Sequence, residues 1–399
     1  MDREALVLRN RSMAEAFHRP PLRHRIRHLL LQAVAGLPIR SVRPHDTNRI
    51  LLIRPDHLGD VLLTTPAIHA LRAAIPQAEI HALVGPWSAR LLSHYPEIDL
   101  VLTLPFPGFS RDSDTSLHSP YRQVIQSARN LRRVGYTSAI ILRPDHWWGA
   151  LLAFLAGIPH RIGYELPDVT PFLTDRISHQ HDHAIAQSLR LVEYWTGKSR
   201  PEKGVYRFPI DTTEQHTIDD YLQTQGIAPN AKLICIHPGS GSWVKLWQTA
   251  HWVIVADTLS EQLDALVVLT GGTHEVPMVR EIATKMEQPV VITAGETGIE
   301  QLARLYSRAK VVLGPDSGPL HLAAAVGAPT VALFGPADPA EFAPWGPREK
   351  HIVLSTDIGC RPCRILDWAD DAHEFHPCVH EIKVGEVLSA ARRAANYTP

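Results

Sequence analysis

The chain has 399 residues, of which 45% are hydrophobic and 20% are charged. This length suits two domains with sizeable cores. The formal net charge of −1 disfavours a nucleic-acid partner, because duplex-binding proteins concentrate a basic excess on one face. The sequence shows neither an apolar run of the roughly 20 residues that span a bilayer nor a signal-peptide pattern. A soluble, cytoplasmic protein is therefore expected.

Residues 1–45 are strongly basic and are predicted to form an extension before the first domain. They carry nine arginines, and their acidic residues are Asp2, Glu4 and Glu15. Apolar residues recur at helical spacing over 22–37, with basic residues on the other faces. Such a helix either associates with an anionic membrane surface, here the inner face of the inner membrane, or packs on its own domain. The sequence leaves both alternatives open.

The rest of the chain alternates short apolar runs with helical segments, first over 46–212 and again over 213–399. This alternation predicts two Rossmann-like α/β domains with parallel sheets covered on both faces. A polar stretch within 197–230 contains the boundary. The predicted strands of the first half are 49–54, 79–84, 100–104 and 138–142, with a helix over 62–74. Those of the second half are 233–237, 265–270, 290–293, 311–313 and 331–334, with a helix over 247–261 and loops at 106–120 and 336–347.

The loop after the first predicted strand reads Arg-Pro-Asp-His-Leu-Gly-Asp over 54–60. Because it lacks the pattern Gly-x-Gly-x-x-Gly, a nicotinamide dehydrogenase is disfavoured. The loop instead offers a glycine beside Asp60 at the carboxyl edge of a parallel sheet, where open α/β folds bind ligands. Asp60 either faces that crevice or caps the following helix, a position that aspartate favours.

Two further loops have the character of anion sites. A strand that ends in Gly-Pro-Asp-Ser-Gly over 314–318 and turns directly into an alanine-rich helix leaves backbone N–H groups unpaired, and the helix dipole attracts a phosphate there. Pro319 suits the first helical turn, and Ser317 or Gly318 can cap it. The Gly/Ser-rich loop over 237–245 allows close approach of an anion, and Lys245 can neutralise its charge.

The cysteines suggest a weaker candidate for a metal site. Cys235 lies in an apolar strand and is most simply a buried core residue. Cys360, Cys363 and Cys378, with nearby histidines that include His373, have the ligand types of a structural zinc site. Their spacing is loose, so the sequence favours a metal-free packed loop, and no cofactor is predicted.

Taken in order, these segments resemble the bacterial heptosyltransferases, glycosyltransferase family nine. The resemblance covers roughly 49–388 and depends on the motifs at 50–67, 237–247, 269–275 and 316–336. It implies a GT-B fold, in which two Rossmann-like domains face each other across a cleft and the final helix often crosses back to the first. It also implies inverting transfer of a heptose from ADP-heptose to the lipopolysaccharide inner core, without a metal.

The resemblance also assigns roles to residues. Asp60 matches the family's catalytic base, Lys245 matches a lysine near the donor diphosphate, and Asp316 matches an aspartate that contacts the donor sugar. Glu275 matches an acidic residue that hydrogen-bonds the ribose. The remaining predicted donor contacts are Ser240, Gly241, Ser317, Gly318, Pro319 and Leu320. His321 contacts phosphate or supports its helix from within, and the sequence slightly favours support.

An anionic, lipid-linked or glycan acceptor is expected to meet Arg54, His57, Arg143 and His146, although each of these residues is equally well explained as a surface residue. Another nucleotide-sugar donor or a non-lipopolysaccharide acceptor is an alternative within the same reaction class. A nucleotide-sugar epimerase and a sugar-nucleotide-binding protein without turnover are further alternatives. The joint presence of Asp60, Lys245 and Asp316 disfavours the last of these.

Overall fold

The computed structural model describes residues 3–18, 22–43, 48–109, 119–199, 205–210, 215–366 and 376–398. The chain divides into two compact units, which meet in sequence between Tyr206 and Arg207. We call them the N-terminal unit, which begins with helix α2 (Leu22–Ala35), and the C-terminal unit, which also includes helix α1 (Arg3–His18). The two helices of the basic leader therefore belong to different units. No helix among the described residues combines the length and the apolar character needed to cross a membrane.

The N-terminal unit is built on a six-stranded sheet whose order is β3-β2-β1-β4-β5-β6. All its strand pairs are parallel, so helices make the crossover connections. The strands are β1 (Arg49–Arg54), β2 (Glu79–Val84), β3 (Leu100–Thr103), β4 (Ser138–Ile141), β5 (His160–Tyr164) and β6 (Asp175–Ile177). The helices after α2 are α3 (Leu58–Leu62), α4 (Thr65–Ala74), α5 (Pro86–Leu92), α6 (Ser119–Val134), α7 (Trp147–Leu155) and α8 (Ala184–Thr196).

The C-terminal unit repeats this plan with the order β12-β11-β10-β7-β8-β9, again all parallel. Its strands are β7 (Leu233–Ile236), β8 (Leu266–Leu269), β9 (Val290–Ile292), β10 (Ala309–Pro315), β11 (Thr330–Leu333) and β12 (His351–Leu354). Its later helices are α9 (Gln215–Thr224), α10 (Thr249–Leu263), α11 (Val276–Lys285), α12 (Ile299–Ser307), α13 (Gly318–Ala325), α14 (Pro339–Phe342), α15 (Pro377–His380) and α16 (Val384–Ala395).

Burial explains which strands the sequence predicted. The central strands are continuous apolar runs, and Leu51, Ile53, Ile234 and Ile236 are fully buried. Each such side chain contributes about 1.5–3 kcal/mol by leaving water. Strands β5, β6 and β12 were not predicted from the sequence; β5 begins with His-Arg, and β6 and β12 lie at sheet edges. Within the C-terminal unit, the final helix α16 packs on α10 and on the faces of β10, β11 and β12.

Gly314 in β10 shows how closely the two central strands of the second sheet approach each other. A Cβ at this position would lie 2.5 Å from the carbonyl oxygen of His237, a backbone atom that cannot rotate away. We therefore expect Gly314→Ala to lower the free energy of unfolding by about 1–3 kcal/mol, measured by urea denaturation. Gly385→Ala is the matched control, since Gly385 is exposed and meets nothing within 4 Å. Equal stability of the two variants would contradict this close approach.

Candidate active site

Both sheets reverse their strand order at the same place, between the first and the fourth strand of the unit. In the N-terminal unit β1 lies beside β4, and in the C-terminal unit β7 lies beside β10. The loops that leave these strands diverge and open a crevice at the carboxyl edge, which is where doubly wound sheets bind ligands. Each unit places a cluster of charged side chains at this point, and the two clusters are described in turn.

Arg54, at the end of β1, is the anchor of the N-terminal cluster. Its side chain is almost fully buried, and its Nη1 donates to the carbonyl oxygen of Leu142 over 2.9 Å. Its Nε lies 2.6 Å from Oδ2 of Asp56, and its Nη2 lies 3.6 Å from Oδ1 of Asp60. The guanidinium is therefore held by the protein interior and directs one remaining edge at the Asp60 carboxylate.

Asp56 lies between two arginines. It is only 2% exposed, pairs with Arg54 on one side and accepts a hydrogen bond from Arg143 on the other. Burial alone would raise the pKa of the Asp56 carboxyl, but the charges of the two guanidinium groups outweigh it and hold that pKa below its usual value. Arg143 also pairs with Asp145 over 2.6 Å. Loops from neighbouring strands are thus joined by a buried ionic network.

The placement of Asp60 decides between its two predicted roles. Asp60 lies within the first turn of α3, whose N-cap residue is His57, so the alternative that Asp60 caps this helix is wrong. Its side chain is 38% exposed, whereas Asp56 is sealed from solvent. Asp60 is therefore the carboxylate of this loop that a ligand can reach. His57 is also exposed, and its ring faces that of Trp87 at 5.1 Å.

His146 turns out to be a packing residue. Its ring is 4% exposed and contacts Phe106, Phe109 and Trp148, at centroid distances between 5.2 and 6.5 Å. Burial lowers the pKa of His146 to about 3, although Asp56 opposes the shift. The imidazole is therefore neutral at physiological pH, which makes it a poor partner for an anionic acceptor.

In the C-terminal unit the structure brings Lys245 and Asp316 together. Lys245 closes the loop after β7, Asp316 directly follows β10, and Lys245 Nζ donates to Asp316 Oδ2 over 2.6 Å. The backbone N–H of Asp316 donates to the carbonyl oxygen of Leu333 in β11, which fixes the aspartate at the end of the sheet. The pair is largely buried, with side-chain exposures of 14% and 7%.

Helix α13 begins immediately beside this pair. Its N-cap residue is Ser317, and Gly318 and Pro319 form the first helical positions, as the sequence predicted. The Ser317 side chain makes no capping hydrogen bond, and its Oγ is buried with no hydrogen-bond partner in the described structure. Leu320 and His321 are buried and attach the helix to the domain. The start of α13 therefore offers a hydroxyl and backbone N–H groups to an anion.

Glu275 connects the loops that follow β7 and β8. Its Oε2 accepts from the backbone N–H of Gly272 over 2.6 Å and lies 3.3 Å from Nε2 of His237. Gly239 makes room for this carboxylate, because a Cβ there would lie 2.0 Å from Glu275 Oε1. Of the other predicted loop residues, Ser240 is half-buried and Gly241 is exposed.

Sequence reasoning assigned no role to His237, Thr270 or Tyr306. The structure shows that Nδ1 of His237 lies 3.0 Å from Thr270 Oγ1, which in turn lies 2.9 Å from the Tyr306 hydroxyl. This buried chain orients His237 toward Glu275. The residues come from three separate strands and helices, so no local pattern marks them as a set.

The cysteine region supports no metal site in the part of the chain that the structure describes, where no group of three or more candidate ligands is suitably placed. His373 lies outside the described residues. Cys378 is buried, and burial, reinforced by the neighbouring Cys363 and Cys360, raises the pKa of its thiol to about 12. Cys235 is buried in β7, as expected.

Comparison with known proteins identifies the family. The model for glycosyltransferase family 9 (heptosyltransferase) matches residues 124–367, which is more than half of the chain. This chain belongs to glycosyltransferase family 9. It is therefore a glycosyltransferase, as the sequence motifs indicated.

Individual members of family 9 resemble the chain over most of its length. Lipopolysaccharide heptosyltransferase 2 of Escherichia coli K12 is 28% identical over 364 residues, which cover 86% of this chain and 98% of the relative. A family 9 crystal structure from Veillonella parvula superposes with a TM-score of 0.73 at 23% identity, covering 89% of this chain and 99% of the other. Escherichia coli ADP-heptose lipopolysaccharide heptosyltransferase II gives 0.69 at 22% identity, covering 87% and 98%. The predicted α/β fold of GT-B class is confirmed.

Proposed function

We propose that this family 9 glycosyltransferase moves a heptose from ADP-heptose to the inner core of lipopolysaccharide or a related glycan, with inversion at the anomeric carbon. The names of its relatives support the donor and the acceptor. Because such an acceptor is lipid-linked, the proposal includes peripheral association with the inner face of the inner membrane. The observation that carries the proposal is the Lys245–Asp316 pair beside the start of α13.

The C-terminal cluster has the chemistry to hold a sugar diphosphate. A diphosphate attracts the Lys245 ammonium and the N–H groups at the start of α13, because both carry positive charge. Asp316 holds Lys245 in place and offers carboxylate oxygens to sugar hydroxyls. We assign Glu275 to the ribose, and Ser240, Gly241 and Ser317 to Leu320 to the surroundings of the phosphates.

The N-terminal cluster has the chemistry to activate an acceptor. Asp60 takes the proton of the attacking hydroxyl while the new O–C bond forms and the bond between the anomeric carbon and the phosphate oxygen breaks. The electron pair of that bond leaves with ADP, whose negative charge Lys245 and α13 stabilise. Arg54 is too buried to meet an acceptor and instead holds Asp60 ionised. Arg143 and His57 are exposed enough to contact an anionic core sugar.

Lys245→Met tests the leaving-group assignment. Losing this fixed cation is expected to lower kcat by about 10²–10³-fold, since the charge that develops on ADP loses a preorganised partner. Steady-state release of ADP measures the effect. Lys232→Met is the matched control, because Lys232 is an exposed lysine that pairs only with surface Asp264. Equal rates for both variants would remove Lys245 from the reaction.

The proposed function itself is tested by mass spectrometry of purified enzyme with ADP-heptose and a heptose-deficient lipopolysaccharide core. Formation of ADP and of a core larger by one heptose is the expected result. Binding of ADP-heptose without transfer to any core acceptor would redirect the proposal to another acceptor. Failure to bind ADP-heptose, together with transfer from another nucleotide-sugar, would replace the donor.

A further inference from the structure

Helix α2 is attached to the N-terminal unit by one of its faces. Leu31 is 5% exposed and joins the core cluster of that unit, and Val34 and Ala35 pack against the same cluster. On this side Arg27 Nη2 and His28 Nδ1 bind Asp168 at 2.6 and 3.0 Å. The helix is therefore a fixed part of the unit, with a defined inner and outer face.

The outer face of α2 is apolar, which is unusual for an exposed helix of a soluble protein. Its apolar residues recur at intervals of four, three and one, so they form one stripe opposite Leu31. With one more residue just past the helix end, their exposed fractions run from 50% to 71%. We call this set the outer stripe: Leu22, Ile26, Leu29, Leu30 and Leu37. A contiguous exposed apolar stripe of this kind marks an interaction surface.

The charges around the outer stripe identify what it fits. Residues 22–43 contain five arginines and no aspartate or glutamate. Arg25, Arg40 and Arg43 are exposed. An apolar stripe flanked by arginines, on a helix held parallel to the protein surface, is complementary to an anionic lipid bilayer, where the apolar side chains enter the acyl boundary and the arginines meet phosphates. A second copy of the chain would bring two sets of arginines together, which is electrostatically unfavourable.

We propose that the outer stripe of α2 is a membrane-docking surface for anionic bilayers. The helix lies in the plane of the interface, because its opposite face is bound to the protein along its length. A helix of 14 residues is about 21 Å long and too short to span the bilayer. The inference deepens the membrane association proposed above by naming its surface, and it rests on the exposure and charge of α2, independently of the donor or the reaction.

Co-sedimentation with vesicles tests this surface. The full chain is expected to bind vesicles of equal parts phosphatidylethanolamine and phosphatidylglycerol, to bind phosphatidylcholine vesicles much more weakly, and to be released by salt, which screens the arginines. Leu29→Glu with Leu30→Glu is expected to weaken the partition coefficient at least about tenfold, because two buried leucines are lost. The matched control is Tyr194→Glu with Ile254→Glu, since both residues are about as exposed but lie elsewhere. Circular dichroism verifies folding of both variants.

Each other outcome overturns the proposal. Absence of binding to phosphatidylglycerol vesicles, or equal binding by both variant pairs, rules out the outer stripe as the docking surface. A dimer in light scattering that dissociates in the Leu29/Leu30 variant, without vesicle binding, would assign the stripe to a second copy instead. Sugar transfer to a delipidated core is measured in parallel, so failure of the proposed reaction leaves the vesicle result interpretable and the reverse also holds.

Discussion

Asp60→Asn is expected to lower kcat for sugar transfer by about 10²–10⁴-fold, the usual contribution of a positioned general base. The amide keeps the size of the carboxylate but cannot accept the proton of the attacking hydroxyl. Asp60 is the reachable carboxylate of the loop after β1, since Asp56 is sealed between two arginines. Mass-spectrometric detection of the glycosylated product, with donor in excess, measures the effect.

Two observations must accompany that loss of activity. Equilibrium titration should show ADP-heptose binding to Asp60→Asn with an affinity close to that of the native enzyme, because we place the donor in the C-terminal unit. Asp264→Asn serves as the matched control: Asp264 is 94% exposed and has the left-handed φ of 46° that asparagine tolerates. A kcat for Asp60→Asn within a few-fold of that control would exclude Asp60 as the base.

Asp56→Ala is expected to lower the free energy of unfolding by about 3–5 kcal/mol, because it leaves the buried Arg54 guanidinium without its carboxylate partner. Asp145→Ala removes the other partner of Arg143 but is expected to cost about 1 kcal/mol or less, since Asp145 is 62% exposed and water replaces it. Chemical denaturation of both variants measures the difference. Similar losses for the two would show that burial of Asp56 does not govern the network.

The stabilisation from Asp56 has a predictable pH dependence. Its two arginines hold the pKa of this carboxyl in the folded protein below the ordinary value of 3.8. Its contribution is therefore complete above about pH 4 and is lost as the pH falls through the folded-state pKa. The difference in unfolding free energy between the native protein and Asp56→Ala should be constant from pH 5 to 7 and shrink toward pH 3. A difference that grew on acidification would reverse the assigned sign.

Secondary structure was predictable where burial is continuous. Strands β1, β2, β7 and β11 read as unbroken apolar runs because both faces of a central parallel strand are covered. Strand β5 begins with the polar pair His160-Arg161, and β6 spans three residues. At an edge of the sheet the apolar requirement relaxes, so such strands carry no distinct pattern.

The sequence by itself determined the two-fold α/β plan, the family, and the loops in which Asp60, Lys245 and Asp316 lie, because apolar periodicity and Gly/Pro punctuation are local signals. Only the tertiary structure decided which charges meet. Arg54 reaches the carbonyl of Leu142 across 88 positions, and Lys245 reaches Asp316 across 71. It also decided that Asp56 is buried while Asp60 is accessible, and that α2 leaves its apolar stripe outside. Burial and pairing depend on how distant strands and helices pack, which is information that no single segment contains.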